Sequence, residues 1–466
     1  MNDASKKHET AKGVAAPDGI ARDRFAGDLV ARDLRHVWHP FTQHGTEAPP
    51  LPILGARGAS LFDAEGQEIL DVVSSWWTCT HGHAHPKLNE ALARQADRFE
   101  HVMFAGFTHR PAVDLATRLA ALLPGDLSRV FFSDDGSTAV EVALKIAFQY
   151  WDNRGETRRR AFISFDGGYH GDTLGAMSLG RGSGFFNLFR GLMCQVAVLP
   201  FPSTFEGDEA AEDRENGALT AFEDRVWNGA QDIAALIIEP LLQGAGGMRI
   251  CRPAFLRRLV ETAREAGILV IFDEVATGFG RTGTLFAMEQ AGVVPDLVCL
   301  SKGLTAGYMP MAVTVARDTL FESFRGDTFD RALAHGHSFT ANPLACAVAV
   351  RSLELFEEEA TLSRIAQIES QHREFIAELR GRDDVVRPRV LGSILAFDFK
   401  GEAGYQSDPS NALKAWFLAR GLNVRPLGPT LYLMPPYCIT DAELTRAYAG
   451  LIEGLDWLAS EDPTRP

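Results

Sequence analysis

The stretch ILVIF at residues 268–272 runs directly into the acidic pair Asp273-Glu274, and LVCL at residues 297–300 runs into Ser301-Lys302. Both are short and almost wholly aliphatic, which is typical of strands that are covered on both faces. Similar runs occur at residues 129–133, 161–165, 196–200, 233–239 and 311–316, with longer amphipathic stretches such as residues 138–150 and 252–266 among them. This alternation predicts one large α/β domain, in which a mainly parallel sheet lies between helices.

The two ends of the chain have a different pattern. Residues 61–71 (LFDAEGQEILD) predict a hairpin that turns at residues 63–66. After residue 347 the pattern predicts helices to about residue 382, short strands near residues 395–399, 423–425 and 430–434, and a terminal helix from residue 441. We therefore expect a flexible polar leader at residues 1–25 and a smaller α+β domain made of residues 26–81 and 347–466, with the large domain at residues 82–346.

Composition and charge narrow the classes of function. The 466 residues include 46 Lys and Arg against 61 Asp and Glu, a formal net charge of −15, in an otherwise ordinary globular composition. An acidic surface repels phosphate backbones and anionic lipids, so neither nucleic acid nor a membrane is the expected partner. The chain has no apolar signal region and no run of eighteen apolar residues, and its six scattered cysteines fit reduced thiols. We expect a cytoplasmic protein.

Three features that follow predicted strands suggest one cofactor site. Asp273 and Lys302 stand where open α/β sheets bind ligands, although an isolated aspartate is more often a cap and an isolated lysine is more often solvated. A lysine in a desolvated pocket is a nucleophile toward carbonyls. Upstream, SDDGST at residues 133–138 opens a helix, so that backbone N–H groups near Gly136 and Ser137 could hold a phosphate or simply form an N-cap. Together these features predict a pyridoxal 5'-phosphate site, where lysine carries the aldehyde and an acid holds the pyridinium nitrogen.

An aromatic residue lies on a glycine-rich turn after another predicted strand. In FDGGYHGD, residues 165–172, Tyr169 stands between Gly168 and Gly171. The glycines favour a constrained turn that faces a ligand, with Tyr169 stacking on a cofactor ring or contacting substrate. A tyrosine that belongs only to the core is the alternative.

Two other motifs are weighed and set aside. GFGRTG at residues 278–283 matches GxGxxG, but the strand before it ends at Asp273 and no ribose-binding acid follows at the required spacing, so we expect no dinucleotide site. CTHGHAH at residues 79–85 is rich in metal-ligand residues, but no second ligand pair has recognisable spacing. We expect no metal.

Several segments resemble a known family. DEVATGFGRTG (residues 273–283), SKG (301–303) and HGHSFTANP (335–343) resemble the class III aminotransferases of fold type I, and the resemblance extends over nearly the whole chain after about residue 35. Within that family, HVWHPFTQ (36–43), SSWW (74–77), HVMF (101–104), QGAGGMR (243–249) and YLMPPY (432–437) resemble the members that act on 8-amino-7-oxononanoate in biotin synthesis.

The resemblance implies a role for each site residue. Lys302 would hold the cofactor and act as the general base, and Asp273 would keep the pyridine nitrogen protonated. Tyr169 would stack on the ring. Phosphate contacts are implied for Gly136 and Ser137, a contact across a homodimer interface for Ser338, and substrate contacts for Trp76, Trp77, Tyr169, Asp172, Gly336, Arg425 and Tyr432.

Physical reasons accompany two of these implied substrate contacts. The guanidinium fork of Arg425 suits a carboxylate. Trp76 and Trp77 could line an apolar slot, and core packing is the alternative because adjacent side chains of a strand point to opposite faces.

The expected function is that of a homodimeric, pyridoxal-phosphate-dependent aminotransferase that converts 8-amino-7-oxononanoate to 7,8-diaminononanoate. S-Adenosylmethionine is the expected amino donor, as the pair Trp76-Trp77 suggests, and L-lysine is the alternative because Phe41 stands where adenosylmethionine-using members have Tyr. GYMP at residues 307–310 also departs from the commoner pattern. The rival functions are an aminotransferase for other ω-amino acids, a pyridoxal-phosphate-dependent aminomutase or decarboxylase, and a silent metal-binding module around residues 81–85.

Overall fold

The computed structural model describes residues 26–181, 186–400 and 408–460, so the predicted leader at residues 1–25 lies outside the described residues. The strands in this part of the chain are β1 Ile53–Arg57, β2 Ser60–Asp63, β3 Glu68–Leu70, β4 Leu127–Ser133, β5 Ala161–Phe165, β6 Val196–Leu199, β7 Ile233–Ile238, β8 Leu242–Gln243, β9 Arg249–Ile250, β10 Leu269–Asp273, β11 Leu297–Leu300, β12 Ala312–Arg317, β13 Val385–Leu391, β14 Ile394–Phe399 and β15 Thr430–Leu433.

The helices cover the sheets and fill the connections between strands. They are α1 Ala26–His36, α2 Ser74–Trp77, α3 Pro86–Ala96, α4 Arg110–Leu122, α5 Gly136–Asn153, α6 Leu174–Leu179, α7 Ala211–Trp227, α8 Pro253–Glu265, α9 Met288–Ala291, α10 Asp318–Glu322, α11 Pro343–Glu358, α12 Thr361–Glu378, α13 Asp408–Ala419 and α14 Asp441–Ala459. Short 3-10 turns lie at Asn187–Leu192, Ala230–Asp232, Lys302–Thr305 and Phe329–Arg331. No helix in the described ranges is both long enough and apolar enough to cross a membrane.

A seven-stranded sheet forms the centre of the large domain, in the order β4-β12-β11-β10-β7-β5-β6. Every residue of β7, β10 and β11 is buried, which is why their sequences are aliphatic throughout. β10 runs parallel to β7 and β11, whereas β12 is antiparallel to both β11 and β4. The predicted α/β class with a mainly parallel sheet is confirmed.

The two ends of the chain pack together, as the sequence predicts. The Leu70 N–H donates to the Gly421 carbonyl at 2.9 Å, and the Asn423 N–H donates to the Leu70 carbonyl at 2.9 Å. One buried cluster contains side chains from both ends, among them Trp77 and Phe397. The smaller α+β domain built from both ends is therefore confirmed, whereas the boundaries at residues 81 and 346 remain predictions.

Three local predictions differ from the structure. Residues 423–425 form no strand, and Leu422 makes only an isolated bridge to Leu70. β13 was not predicted, because Pro388 and two arginines interrupt its pattern, which an edge strand tolerates. The residues of SSWW (74–77) do not lie on a strand: the short element α2 that they form is a tight turn rather than a regular α-helix, with positive φ angles of 45° to 73°.

Candidate active site

A cavity of about 600 Å³ opens at the carboxyl ends of β10 and β11. Parallel strands bring their carboxyl ends to one edge of the sheet, so residues far apart in sequence converge there. Seven of the predicted site residues line this cavity: Trp77, Gly136, Ser137, Tyr169, Asp172, Asp273 and Lys302.

Lys302 begins the 3-10 turn that follows β11, with a φ of 42°. Its Nζ atom lies 4.6 Å from the centre of the Trp77 ring. Burial lowers the pKa of the Lys302 amine, while the carboxylates of Asp273 and Glu239 act in the opposite direction. A lysine that loses its proton more readily than usual and faces a cavity can act as a nucleophile and as a proton acceptor.

Asp273 ends β10 and is held by a histidine that sequence reasoning did not single out. The His170 ring donates through Nδ1 to Asp273 Oδ2 at 2.7 Å, and both side chains are buried. Burial alone would lower the pKa of His170, but its hydrogen bond to Asp273 and the nearby carboxylates outweigh burial and raise that pKa. The carboxylate of Asp273 is thereby fixed in orientation. The only signal in the sequence was the position of His170 beside Tyr169.

Glu239 follows β7 and holds the loop that carries Tyr169. Its two carboxylate oxygens accept hydrogen bonds from the backbone N–H groups of Tyr169 and Gly244, each at 3.0 Å. Burial raises the pKa of Glu239 from 4.5 to about 7. Glu239 therefore fixes the backbone at Tyr169 and Gly244, and its carboxyl group titrates near neutral pH.

The titration of Glu239 predicts a pH-dependent stability. Between pH 4.5 and about 7 the folded state keeps a proton that the unfolded state has lost, so the free energy of unfolding falls as pH rises. Relative to Glu239→Gln, the wild type is expected to lose about 3 kcal/mol across this range. Urea denaturation at pH 5, 6, 7 and 8 measures the difference. Glu223→Gln, which changes an exposed glutamate, is the control and should show the same pH dependence as the wild type. If the free energy of unfolding changed equally with pH in the wild type and in Glu239→Gln, the prediction would be contradicted.

The N-terminus of α5 forms the opposite wall of the cavity. A capping box starts the helix, since the Asp135 side chain accepts from the Thr138 N–H at 2.8 Å and the Thr138 hydroxyl accepts from the Asp135 N–H at 3.1 Å. Ser137 Oγ lies 2.7 Å from Thr173 Oγ1 and accepts from the Thr173 N–H at 3.0 Å. Gly171 permits this approach, because a Cβ atom there would overlap Ser137. Such a helix N-terminus attracts a phosphate or another anion.

Tyr169 also lines this cavity. Its ring stacks on Phe186 with centroids 6.0 Å apart, and its hydroxyl is hydrogen-bonded to Asp172. Burial raises the pKa of both side chains, so the Tyr169 hydroxyl stays protonated at neutral pH.

Trp76 and Trp77 have separate environments because of the tight turn at residues 74–77. Trp77 is buried and donates from Nε1 to the Tyr432 hydroxyl at 3.1 Å. Tyr432 is itself 1% exposed and does not line the cavity, so its contact with substrate remains a prediction. Trp76 is 39% exposed and packs edge-on against Phe41 at 5.9 Å, with the Arg425 guanidinium 4.9 Å from its ring centre.

Four predicted site residues besides Tyr432 lie outside the cavity lining: Trp76, Arg425, Gly336 and Ser338. Gly336 and Ser338 are exposed. Their contribution to a site shared with a second copy of the chain remains a prediction.

The two motifs that were set aside have structural roles. In the GxGxxG segment, Arg281 is 1% exposed and donates to the carbonyls of Trp77, Cys79 and Pro435. His81 Nε2 lies 3.1 Å from the Ser352 carbonyl, and His83 Nε2 lies 2.9 Å from Asp71 Oδ2. Within the described ranges, no three His, Cys, Asp or Glu side chains are grouped so that they could hold a metal ion.

Known proteins resemble the chain over most of its length. The family model described as Aminotransferase class-III matches residues 41–455. The adenosylmethionine-8-amino-7-oxononanoate aminotransferase of Synechococcus elongatus is 49% identical over 90% of this chain and 98% of its own length. That of Geobacter sulfurreducens is 40% identical over 90% and 95%.

Solved structures are similar in fold to nearly the whole chain. The adenosylmethionine-8-amino-7-oxononanoate aminotransferase of Methanocaldococcus jannaschii has a TM-score of 0.85 at 32% identity and covers 92% of this chain and 99% of its own. An (S)-enantioselective omega-transaminase of Thermomicrobium roseum has a TM-score of 0.86 at 31% identity and covers 93% and 99%.

Proposed function

The chain belongs to the class III aminotransferases, and on that premise we propose that it aminates 8-amino-7-oxononanoate to 7,8-diaminononanoate in biotin synthesis, with pyridoxal 5'-phosphate as cofactor. The observation that carries the proposal is the position of Lys302, whose amine has a lowered pKa, in one cavity with Asp273 and the N-terminus of α5. The naming of several relatives for this reaction supports the choice of substrate.

The chemistry of the residues around the cavity fits the proposed cofactor. Gly136 and Ser137 at the start of α5 would hold its phosphate, and Asp273 would hold its pyridine nitrogen. When bound, pyridoxal phosphate accepts the amino group from the donor and delivers it to the ketone, withdrawing electrons from the reacting carbon.

Lys302 would move the proton at the reacting carbon. Because burial lowers the pKa of its amine, Lys302 exchanges a proton with the reacting carbon more readily than an ordinary lysine would. The face of Trp77, 4.6 Å from Nζ, stabilises that ammonium form by a cation–π interaction and keeps the amine in the cavity.

Asp273, oriented by His170, would hold the pyridine nitrogen of the cofactor. Because the Nδ1–H of His170 donates to Asp273 Oδ2 at 2.7 Å, the remaining carboxylate oxygen is oriented by the ring and by the Val275 N–H at 3.1 Å. The pair needs no reorganisation when charge develops in the cavity.

Arg425, Trp76 and Phe41 would bind the chain and carboxylate of the substrate. The guanidinium of Arg425 lies over the exposed Trp76 ring, which offers a cationic end and an apolar wall side by side. S-Adenosylmethionine is the proposed donor, and L-lysine is the alternative because Phe41 presents a ring without a hydroxyl to Trp76.

Replacement of Arg425 by alanine is expected to raise the KM for 8-amino-7-oxononanoate about 10- to 100-fold, with a smaller effect on kcat. The reason is that a charge-assisted contact to the carboxylate is lost while Lys302 and Asp273 are untouched. Steady-state kinetics measure both constants. Arg420→Ala, which removes a guanidinium that lies over Trp416 instead, is the matched control. An unchanged KM in Arg425→Ala would exclude Arg425 as the carboxylate anchor.

A homodimer with Ser338 at the partner's cofactor is part of the proposal. The next residue, Phe339, is apolar and 63% exposed, which supports a surface covered by a second copy. The six unpaired cysteines support a cytoplasmic location.

An aminotransferase acting on other ω-amino acids is the second candidate, because the omega-transaminase of Thermomicrobium roseum is as similar in fold as the Methanocaldococcus enzyme. Absorption spectra of the purified protein with pyridoxal phosphate distinguish the two. The proposal expects a visible cofactor band that S-adenosylmethionine or L-lysine bleaches. A band bleached only by simple ω-amino acids would favour the second candidate, and no band at all would refute both.

A further inference from the structure

A second cavity, of about 370 Å³, shares no lining residue with the one that holds Lys302. It lies between the segment after β5, where Asp166 and Gly167 stand, and strands β13 and β14 of the smaller domain. A space of this volume suits a small metabolite. The function proposed above makes no use of it.

The lining of this cavity carries an excess of positive charge. It contains three guanidinium groups, from Arg249, Arg387 and Arg389, and two carboxylates, from Asp166 and Asp398. Asp398 is shared by two of the cations, at 2.7 Å from Arg387 and 2.9 Å from Arg389. One carboxylate thus balances two arginines, and Asp166 Oδ2 lies 3.6 Å from the Arg249 guanidinium, so the lining carries one more positive than negative charge.

The three arginines differ in how far their donors are already used. Arg389 is 5% exposed and donates to the carbonyls of Met248 and Gly247 as well as to Asp398, so it is a structural residue. Arg249 donates to the Asp166 and Phe201 carbonyls. Arg387 has its Asp398 ion pair and a side chain that is 57% exposed, so its guanidinium has donors that face solvent.

The three cations lie close enough to repel one another. Burial lowers the pKa of Arg249 and of Arg389, the carboxylates of Asp166 and Asp398 act in the opposite direction, and the charge of Arg387 lowers both pKa values further. An anion in the cavity would relieve this repulsion.

The backbone at Arg387 is built in a way that directs its side chain. The ladder between β13 and β14 breaks between Val386 and Arg389, and Arg387 has a φ of 51° in this bulge. A residue other than glycine rarely adopts this backbone conformation. A bulge also turns side chains out of the alternating pattern of a regular strand. The bulge is held by Pro388, whose carbonyl accepts from the Glu206 N–H at 2.8 Å.

We propose that this cavity binds a small oxyanion, a carboxylate or a phosphate group, between the guanidinium groups of Arg387 and Arg249, with the hydroxyl of Ser203 at its edge. Arginine forks match both kinds of oxyanion in a bidentate manner. The bound group links Arg249 on β9 to Arg387 on β13, and it therefore stabilises the folded protein.

Calorimetric titration of the protein saturated with pyridoxal phosphate tests this site. The protein is saturated with the cofactor because added phosphate would otherwise bind at Gly136 and Ser137, the proposed site of the cofactor's phosphate. The probes are inorganic phosphate and succinate, and we expect at least one of them to bind with one site per chain and to raise the melting temperature. Arg387→Gln should weaken that binding by about tenfold or more. Arg387→Lys, which keeps the charge without the fork, should weaken it less.

Two controls separate this site from others. Arg380→Gln removes the same charge from an exposed position outside the cavity and should bind as the wild type does. In Arg425→Ala, which removes the proposed carboxylate anchor of the substrate site, the binding that Arg387→Gln weakens should persist. Binding of only one probe shows whether the site takes a phosphate group or a carboxylate. Binding of neither probe, or equal affinity in the wild type and Arg387→Gln, would overturn the proposal.

Discussion

Replacement of Lys302 by alanine is expected to lower kcat by about 10³-fold or more. The substitution removes the only lysine that lines the cavity in the described part of the chain, and with it the amine whose pKa burial lowers. Both the attachment of the cofactor and the proton transfer at the reacting carbon depend on that amine. Product formation under saturating substrate measures the effect.

Lys302→Arg separates proton transfer from simple charge, because arginine keeps a cation over Trp77 but does not give up its proton. It should be as inactive as Lys302→Ala. Lys87→Ala, which affects an exposed ion pair with Glu358, is the control and should retain wild-type activity. Activity of Lys302→Ala within tenfold of the wild type would exclude this residue from the chemistry.

Asp273→Asn is expected to lower kcat by about 10²- to 10³-fold. The amide carries no negative charge, so it neither holds a protonated pyridine nitrogen nor gives His170 the carboxylate partner that it has at 2.7 Å. Loss of the ion pair should also lower the pKa of His170, which NMR titration of its ring can follow.

The adjacent residue provides a matched control for Asp273. Glu274 is also buried, with a pKa that burial raises to about 7, but it accepts hydrogen bonds from the Ala287 and Met288 N–H groups and does not line the cavity. Glu274→Gln should cost about 1–3 kcal/mol of stability with little change in kcat. An equal reduction of kcat in Asp273→Asn and Glu274→Gln would contradict the catalytic role assigned to Asp273.

Much of the fold follows from local sequence because buried strands are readable as short aliphatic runs. β5 and β11 have the predicted bounds, 161–165 and 297–300, and β11 is buried throughout whereas β5 is buried over its last three residues. Convergence of Asp273, Lys302 and Gly136 could also be predicted, because strand ends in such sheets meet at one edge.

What the sequence did not reveal depends on contacts between distant or strained segments. Tyr432 is separated from Trp77 by 355 positions, and no local pattern indicates that its hydroxyl accepts the Trp77 indole hydrogen. The positive φ angles at Trp76 and Arg387 have no signal of their own, because glycine is absent from both positions. The role of His170 could not be predicted for a different reason: the sequence around a histidine does not indicate which distant carboxylate it will contact.

The central claim is that this site transfers an amino group to 8-amino-7-oxononanoate. The most direct test incubates the protein with pyridoxal phosphate, 8-amino-7-oxononanoate and either S-adenosylmethionine or L-lysine, and quantifies 7,8-diaminononanoate by mass spectrometry. We expect product with one of the two donors in the wild type and none above background in Lys302→Ala. Absence of product with both donors, from protein that retains its cofactor and aminates other ketones, would contradict the assignment.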